Sequence, residues 1–234
     1  MRTIYLDCGM GAAGDMLMAA LLELCPEKKE EFLGKMNGLG LPGVKVEAEP
    51  AVKCGITGTH MKVTVFGEEE ESEDVHDHGH AHPHSHEACE SIAADGLHSH
   101  VHSHDGHGHS HHHHHHSTMA GIASIIDGLD IPAPVKEDMK AVYALIAEAE
   151  SHAHGMPVDQ IHFHEVGTMD AVADIAGVCL LFHELGADQI IASPVHVGSG
   201  HVHCAHGILP VPAPATAHIL QGIPAYSTQV QGEL

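Results

Sequence analysis

The chain has 234 residues, 43% of them hydrophobic, which is enough to bury an ordinary core as one domain or one and a half. Its formal net charge is −23 with histidine counted as neutral, and such a surface repels phosphate backbones and anionic lipid. We therefore expect no nucleic acid and no membrane among its partners.

Aromatic residues make up only 3% of the chain, and Trp is absent. The core must therefore be built from Ala, Leu, Ile, Val and Met, which favours an α/β (α+β) fold with a small mixed sheet packed with helices. The first predicted elements are a strand at residues 3–6, a glycine-rich turn, helices at 15–24 and 26–36, and a β-hairpin of 44–52 and 56–66.

The composition changes abruptly after Gly67. An acidic run at residues 68–74 is followed by a tract of His, Gly and Ser with too few apolar residues to form a core. We predict that residues 68–117 are a disordered acidic and His-rich metal-binding insertion, and that 1–67 and 118–234 form one folded domain.

Periodic apolar residues return after this insertion. The predicted elements are helices at 119–129, 135–149 and 169–185, short strands at 190–192 and 194–197, and, after a loop, a helix at 214–221.

The six cysteines include no C-x-x-C pair, and the N-terminus lacks a signal-peptide pattern. These features indicate free thiols in a reducing cytoplasm. The longest apolar stretch is too short to span a bilayer.

Histidine dominates the tract, with 18 of the 41 residues from His76 to His116. Imidazole is a ligand for nickel, copper, zinc and cobalt, so the tract is predicted to bind several ions loosely. An affinity tag at the central run or an inert linker is the alternative. The predicted ligands are His76, His78, His80, His82, His84, His86, His98, His100, His102, His104, His107, His109, His111, His112, His113, His114, His115 and His116.

A second cluster contains His162, His164, Glu165, Asp170 and Asp174. The two aspartates lie one turn apart on a predicted helix, and the preceding turn can bring the other three side chains near them. Such a group can hold a divalent metal through mixed nitrogen and oxygen ligands, or act as a general acid/base set. Alternatively, Asp170 caps the helix while the other side chains face solvent.

The segment from His201 to Gly207 offers three imidazoles and one thiol. We select His206, next to Gly207, as the functional member, because His201 and His203 can simply face solvent.

The turn at Gly9, Gly11 and Gly14 formally matches a dinucleotide-binding G-x-G-x-x-G. The context argues against a dehydrogenase, because no second strand ends in an acid and Asp15 places negative charge where a pyrophosphate would bind. Asp7 and Asp15 can instead face a shared cation or substrate that the glycine backbone approaches closely. Ordinary helix capping by Asp15 is the alternative.

These motifs together resemble the LarC family of nickel insertion proteins. The matching segments are Tyr5-Leu6-Asp7, Gly11-Ala12-Ala13-Gly14-Asp15-Met16, His162-Phe163-His164-Glu165-Val166-Gly167 with Asp170 and Asp174, Val197-Gly198-Ser199-Gly200, and His206-Gly207-Ile208-Leu209-Pro210-Val211-Pro212-Ala213-Pro214-Ala215-Thr216.

The resemblance implies an enzyme, a nickel chelatase or cyclometallase of the lyase class, that inserts Ni²⁺ into pyridinium-3,5-bisthiocarboxylic acid mononucleotide. The product would be the nickel-pincer cofactor of lactate racemase-type enzymes, made at the expense of CTP. His162, His164 and His206 are the implied metal ligands, Glu165, Asp170 and Asp174 the implied catalytic residues, and Asp7, Gly11, Gly14 and Asp15 the implied cofactor-binding positions.

Relatives in this family continue beyond Leu234 into a C-terminal domain associated with CTP and a divalent cation, Mn or Mg. We therefore expect this chain to be an N-terminal portion, incomplete in catalysis, with the C-terminal half or its frameshift product as a partner. A homo-oligomer is also expected.

Two other functions stay open from the sequence. The chain can be a nickel or zinc storage or metallochaperone module without catalysis, in which case deleting residues 68–117 would abolish its function. It can also be a metal-dependent hydrolase that uses a water bound at the cluster from His162 to Asp174.

Overall fold

The computed structural model describes residues 1–69, 117–163, 165–204 and 206–234. Residues 70–116 of the insertion predicted at 68–117, together with His164, lie outside these described residues. The short strand Glu68–Glu69 and the strand Ser117–Thr118 border the tract, so the described structure extends slightly into the predicted insertion on both sides.

Helices and strands alternate along the described chain, which confirms the α/β class. The six α-helices of the described residues are α1 (Gly14–Glu23), α2 (Lys29–Asn37), α3 (Met119–Gly128), α4 (Ala133–His154), α5 (Met169–Leu185) and α6 (Pro214–Ile219). The strands are β1 (Thr3–Leu6), β2 (Val44–Lys53), β3 (Ile56–Val65), β4 (Glu68–Glu69), β5 (Ser117–Thr118), β6 (His162–Phe163), β7 (Gln189–Ala192), β8 (Val195–His196), β9 (Gly198–Ser199), β10 (His201–Cys204), β11 (Gly207–Pro210), β12 (Ala225–Tyr226) and β13 (Gly232–Glu233).

Within the described residues, the strands are divided among six small sheets instead of joining in one mixed sheet. β1 pairs with β7 and β8 with β12 in parallel, whereas β2, β3 and β4 form an antiparallel sheet. The pairs β5–β6, β9–β13 and β10–β11 are antiparallel. The β10–β11 hairpin lies where the sequence predicted a loop.

α4 shows how the local sequence sets the length of a helix. It begins after Pro132, where proline is compatible with a helix start, and it ends at Gly155, whose φ of 64° is readily adopted by glycine. Val135, Met139 and Tyr143 repeat every four residues and are fully buried. This apolar face packs the helix on the core.

A single hydrophobic core contains residues from both sides of the tract. α1 packs against α5, where Ala173, Ala176 and Gly177 allow a close approach to the buried Met18. This contact brings the N-terminal ends of α1 and α5 together. No helix among the described residues has the length and apolar character needed to cross a bilayer.

Candidate active site

A cavity of about 350 Å³ opens between α4, α6, the β10–β11 hairpin, β13 and a 3₁₀ turn at Glu165–Gly167. Its wall is partly apolar and carries several groups that can bind a metal or a proton. These groups are Glu150, His154, Glu165, Cys204, His206 and Glu233. The fold therefore brings Glu165 and His206, from two separate predicted clusters, to one cavity.

His154 and His206 both line this cavity, and their rings lie next to each other. Their ring centroids are 4.8 Å apart with an interplanar angle of 48°. The last turn of α4 carries His154, and its Nε2 lies 3.3 Å from Oε2 of Glu150, one turn earlier on the helix. Residues four apart share a helix face, so this carboxylate can orient the imidazole.

The tight β10–β11 hairpin places His206 and Cys204 on the cavity. Cys204 pairs with Gly207 across the strands, and Gly207 has a φ of 95°, which permits the abrupt turn. The Cys204 thiol lies 3.4 Å from the Gly207 carbonyl oxygen. The hairpin thus contributes an imidazole and a thiol to the lining of the cavity.

The 3₁₀ turn that carries Glu165 is fixed by two hydrogen bonds. The Thr168 hydroxyl donates to the Glu165 carbonyl oxygen at 2.6 Å, and the Thr168 N–H donates to the same oxygen at 3.3 Å. The buried Tyr143 hydroxyl donates to the carbonyl oxygen of Val166 at 3.1 Å. Glu165 is therefore held at the cavity by a defined backbone.

A second group of three carboxylates, Asp15, Asp170 and Asp174, lies where α1 meets α5; we call it the acidic group. Gly14 makes this approach possible, because a Cβ on Gly14 would lie 2.8 Å from both the Cβ and the Oδ2 of Asp174. Asp15 and Asp170 are the second residues of their helices, and the N-cap residues are Ala13 and Thr168. The alternative interpretation of the two aspartates as helix caps is therefore wrong.

Asp174 has the most perturbed environment in the acidic group. Burial, followed by the charges of Asp15 and Asp170, raises the pKa of Asp174 from 3.8 to about 7, although a hydrogen bond from the Asp15 backbone partly opposes the change. The Oδ1 atom of Asp174 is buried and has no hydrogen-bond partner. A carboxyl group with these properties can exchange a proton near neutral pH.

Tyr143 connects the acidic group with the cavity wall. Burial raises the pKa of the Tyr143 hydroxyl, and the charges of Asp170 and Asp174 add to this effect. The same hydroxyl donates a hydrogen bond to the carbonyl oxygen of Val166, and Val166 lines the cavity beside Glu165. The acidic group is thus electrostatically coupled to a residue that supports the cavity.

Other predicted site residues lie elsewhere. His162 is exposed on β6, where it pairs with Thr118, and it does not line the cavity. Asp7 accepts a hydrogen bond from the Gly9 N–H at 3.0 Å in a local turn. Gly11 has a φ of 93°, and a Cβ there would lie 2.3 Å from the backbone carbon of Leu234.

Of the metal ligands predicted in the folded part, the structure describes His162 and His206 but not His164. Among the residues the structure describes, no group of three or more His, Cys, Asp or Glu side chains is arranged to hold a metal ion. His164 and the histidines of the tract lie outside those residues, so their part in a ligand set stays a prediction.

The sequence did not predict His154 and Glu150 as members of the site. Both follow the apolar stripe of α4 and are typical of a solvent-exposed helix end. Their spacing of four residues was the available signal, but only the position of the β10–β11 hairpin shows that His154 meets His206.

Known proteins resemble this chain over its whole length. The family model described as nickel insertion protein matches residues 4–234. The chain is 35% identical to the pyridinium-3,5-bisthiocarboxylic acid mononucleotide nickel insertion protein of Desulfitobacterium hafniense. The match covers the whole chain and 47% of that relative. Proteins of the same name from Geobacillus kaustophilus and Staphylococcus epidermidis are 34% and 33% identical over the whole chain and 48% and 47% of their own lengths.

The chain thus spans about half the length of the curated relatives it matches. No solved structure matches it at a significant level.

Proposed function

Because the chain belongs to the nickel insertion protein family, we propose that it binds Ni²⁺ and delivers it to pyridinium-3,5-bisthiocarboxylic acid mononucleotide. Nickel is here a substrate. The observation that carries the proposal is the convergence of Glu165, His154, His206 and Cys204 on one cavity. Imidazole nitrogen and thiolate sulfur are both ligands of borderline divalent metals.

The cavity supplies nickel ligands and a proton acceptor in one place. His154 and His206 would hold the ion through neutral imidazoles, and Glu150 would fix the orientation of the His154 ring. His164, His162 and the tract from His76 to His116 are proposed to raise the local concentration of nickel. The proposed folded domain is interrupted by that tract.

Insertion requires that a ring C–H bond be replaced by a C–Ni bond. The two thiocarboxylate sulfurs of the substrate bind nickel and place it beside the ring carbon between them. The electron pair of the C–H bond then forms the C–Ni bond, and the proton passes to a base. We assign Glu165 as this base, with the acidic group of Asp15, Asp170 and Asp174 as the acceptor that takes the proton from the site.

The glycine-rich turn is proposed to contact the mononucleotide. Gly14 lies against Asp174, and Ala12 and Ala13 line a second cavity of about 440 Å³ together with Val195, Val197 and Leu220. The lining of this cavity is mostly apolar. Thr216 and Glu233 line both this cavity and the first one. It can receive the flat pyridinium ring.

The relatives are about twice as long as this chain, which supports a second segment as a partner in the complete reaction. We propose that this segment binds CTP with Mn or Mg, that the product serves lactate racemase-type enzymes, and that the protein works in the cytoplasm as a homo-oligomer.

The proposal is tested with the chain expressed alone and co-expressed with the C-terminal segment. Each preparation is incubated with Ni²⁺, CTP and the mononucleotide, and nickel in the purified product is measured. We expect nickel to be inserted only when this chain is present. Product formation at the same rate without the chain, or with a His154→Ala, His206→Ala double variant, would contradict it.

A further inference from the structure

A second pair of histidines lies outside both cavities. His152 in the last turns of α4 and His218 in α6 stack with ring centroids 4.3 Å apart and an interplanar angle of 29°. Neither residue lines the first or the second cavity. The pair joins two helices that pack against each other, and one of them, α6, begins at the wall of the first cavity with Pro214, Ala215 and Thr216.

The distance between the two rings suits a shared metal ion. Imidazole nitrogen binds Zn²⁺ and related metals at about 2.1 Å, so two neighbouring ligands of one ion lie about 3 Å apart. The rings of His152 and His218 are stacked with centroids 4.3 Å apart, and because the nitrogen lone pairs lie in the ring planes, both side chains must rotate until a nitrogen of each ring points to the ion. Water can complete the coordination sphere of an ion held by two protein ligands.

Gln221 provides an outer partner for His218. Its Nε2 atom lies 3.4 Å from Nδ1 of His218. A metal-bound histidine usually donates its other ring N–H to an oxygen, and a half-turn of the Gln221 amide would place its oxygen at this position. Nδ1 would then be the donor, which leaves Nε2 of His218 for the metal.

The surrounding charge favours a cation. The last eight residues of α4, 147–154, contain Glu148 and Glu150 but no Lys or Arg, and α6 contains no charged residue except for its histidine. Neither helix therefore places a Lys or Arg beside the pair, and the net charge of −23 also favours the approach of a dication.

We propose that His152 and His218, supported by Gln221, form a two-histidine site for a borderline divalent transition metal such as Ni²⁺ that ties α6 to α4. Occupancy of the site holds the beginning of α6, and with it one wall of the first cavity. The site is independent of the mononucleotide, so it stands or fails separately from the proposed insertion activity.

Hydrogen exchange of the full chain tests the site in the presence and absence of buffered free Ni²⁺. A ligand at 100 times its dissociation constant stabilises the bound state about 100-fold, so exchange in α6 should slow by about that factor. The protection should disappear in His152→Ala and in His218→Ala. It should persist in His183→Ala, a matched change of an exposed histidine on α5.

A chemical measurement needs no variant. Carbethoxylation of the wild-type chain, mapped by mass spectrometry, should be at least tenfold slower at His152 and His218 when Ni²⁺ is present and unchanged at His183. Equal modification of all three residues with and without nickel would overturn the site. So would nickel protection of α6 that survives His152→Ala and His218→Ala but is lost in His206→Ala, because the ion would then act from the cavity.

Discussion

Asp174 is the residue whose surroundings depart furthest from those of an ordinary surface carboxylate. Its pKa of about 7 reflects burial first and the charges of Asp15 and Asp170 second. A carboxyl group whose pKa is raised on folding stabilises the protein while it is protonated. This stability is present below the unfolded pKa near 3.8 and is lost as the pH rises through about 7.

Asp174→Asn should therefore stabilise the protein at alkaline pH. The amide cannot ionise, so the variant avoids the cost of the buried charge, on the order of 4 kcal/mol at pH 8, and differs little from the wild type at pH 4. Urea unfolding between pH 4 and pH 9 measures the difference. Asp159→Asn, at an exposed position, is the control and should show no such trend. A stability difference that does not change with pH would refute this account of Asp174.

Glu165→Gln tests the proposed base. The variant keeps the shape of the side chain and loses the proton acceptor, so nickel insertion should fall by about 100-fold or more, while nickel binding is retained. The rate of product formation with the C-terminal segment present is the measurement. Glu148→Gln, on an exposed position of α4, should retain wild-type activity. Full activity of Glu165→Gln would assign the proton transfer to another group.

Single residues show how much of the cavity lining could be predicted from the sequence. Glu165 and His206 were predicted from local motifs that combine imidazole or carboxylate groups with a neighbouring glycine. Their meeting at one cavity, and the part of His154, depend on contacts between α4 and a distant hairpin. No local pattern carries that information.

The packing of α1 against α5 positions the acidic group. A Cβ on Gly177 would lie 2.4 Å from Sδ of the fully buried Met18, so a larger residue would force the helices apart. Gly177→Ala should reduce the free energy of unfolding by about 1–3 kcal/mol. Urea unfolding at neutral pH measures this loss.

Gly34→Ala is the matched control within α2. No atom lies within 4 Å of a Cβ at this position, and alanine is the better helix former, so the variant should be more stable by roughly 0.5–1 kcal/mol. Equal effects of the two substitutions would show that steric contact at Gly177 does not limit the helix separation.

The helices and strands with a regular apolar pattern are the ones that the sequence predicted. The long amphipathic helices α4 and α5 and the β2–β3 hairpin agree with their apolar patterns. The β10–β11 hairpin was missed because its strands are four residues long and contain exposed histidines, and its pairing is fixed by the glycine turn. The division of the strands among small sheets depends on partners far away in the sequence, such as β1 with β7.

The molecule as a whole offers two sets of candidate nickel ligands. Eighteen histidines between His76 and His116 are proposed to collect the ion, and a folded cavity with His154, His206 and Glu165 is proposed to transfer it. Collection by the tract matters when nickel is scarce, because many weak ligands raise its local concentration. We propose that transfer depends on the cavity at every nickel concentration.

The most direct test compares two variants in the nickel insertion assay, with the C-terminal segment, CTP and the mononucleotide present. One variant replaces residues 70–116 with a short Gly/Ser linker, and the other is His206→Ala with the tract intact. At saturating nickel, the deletion variant should keep close to wild-type turnover, and His206→Ala should lose at least tenfold. Lost turnover in the deletion variant together with unchanged turnover in His206→Ala would contradict the account and identify the tract as the functional site.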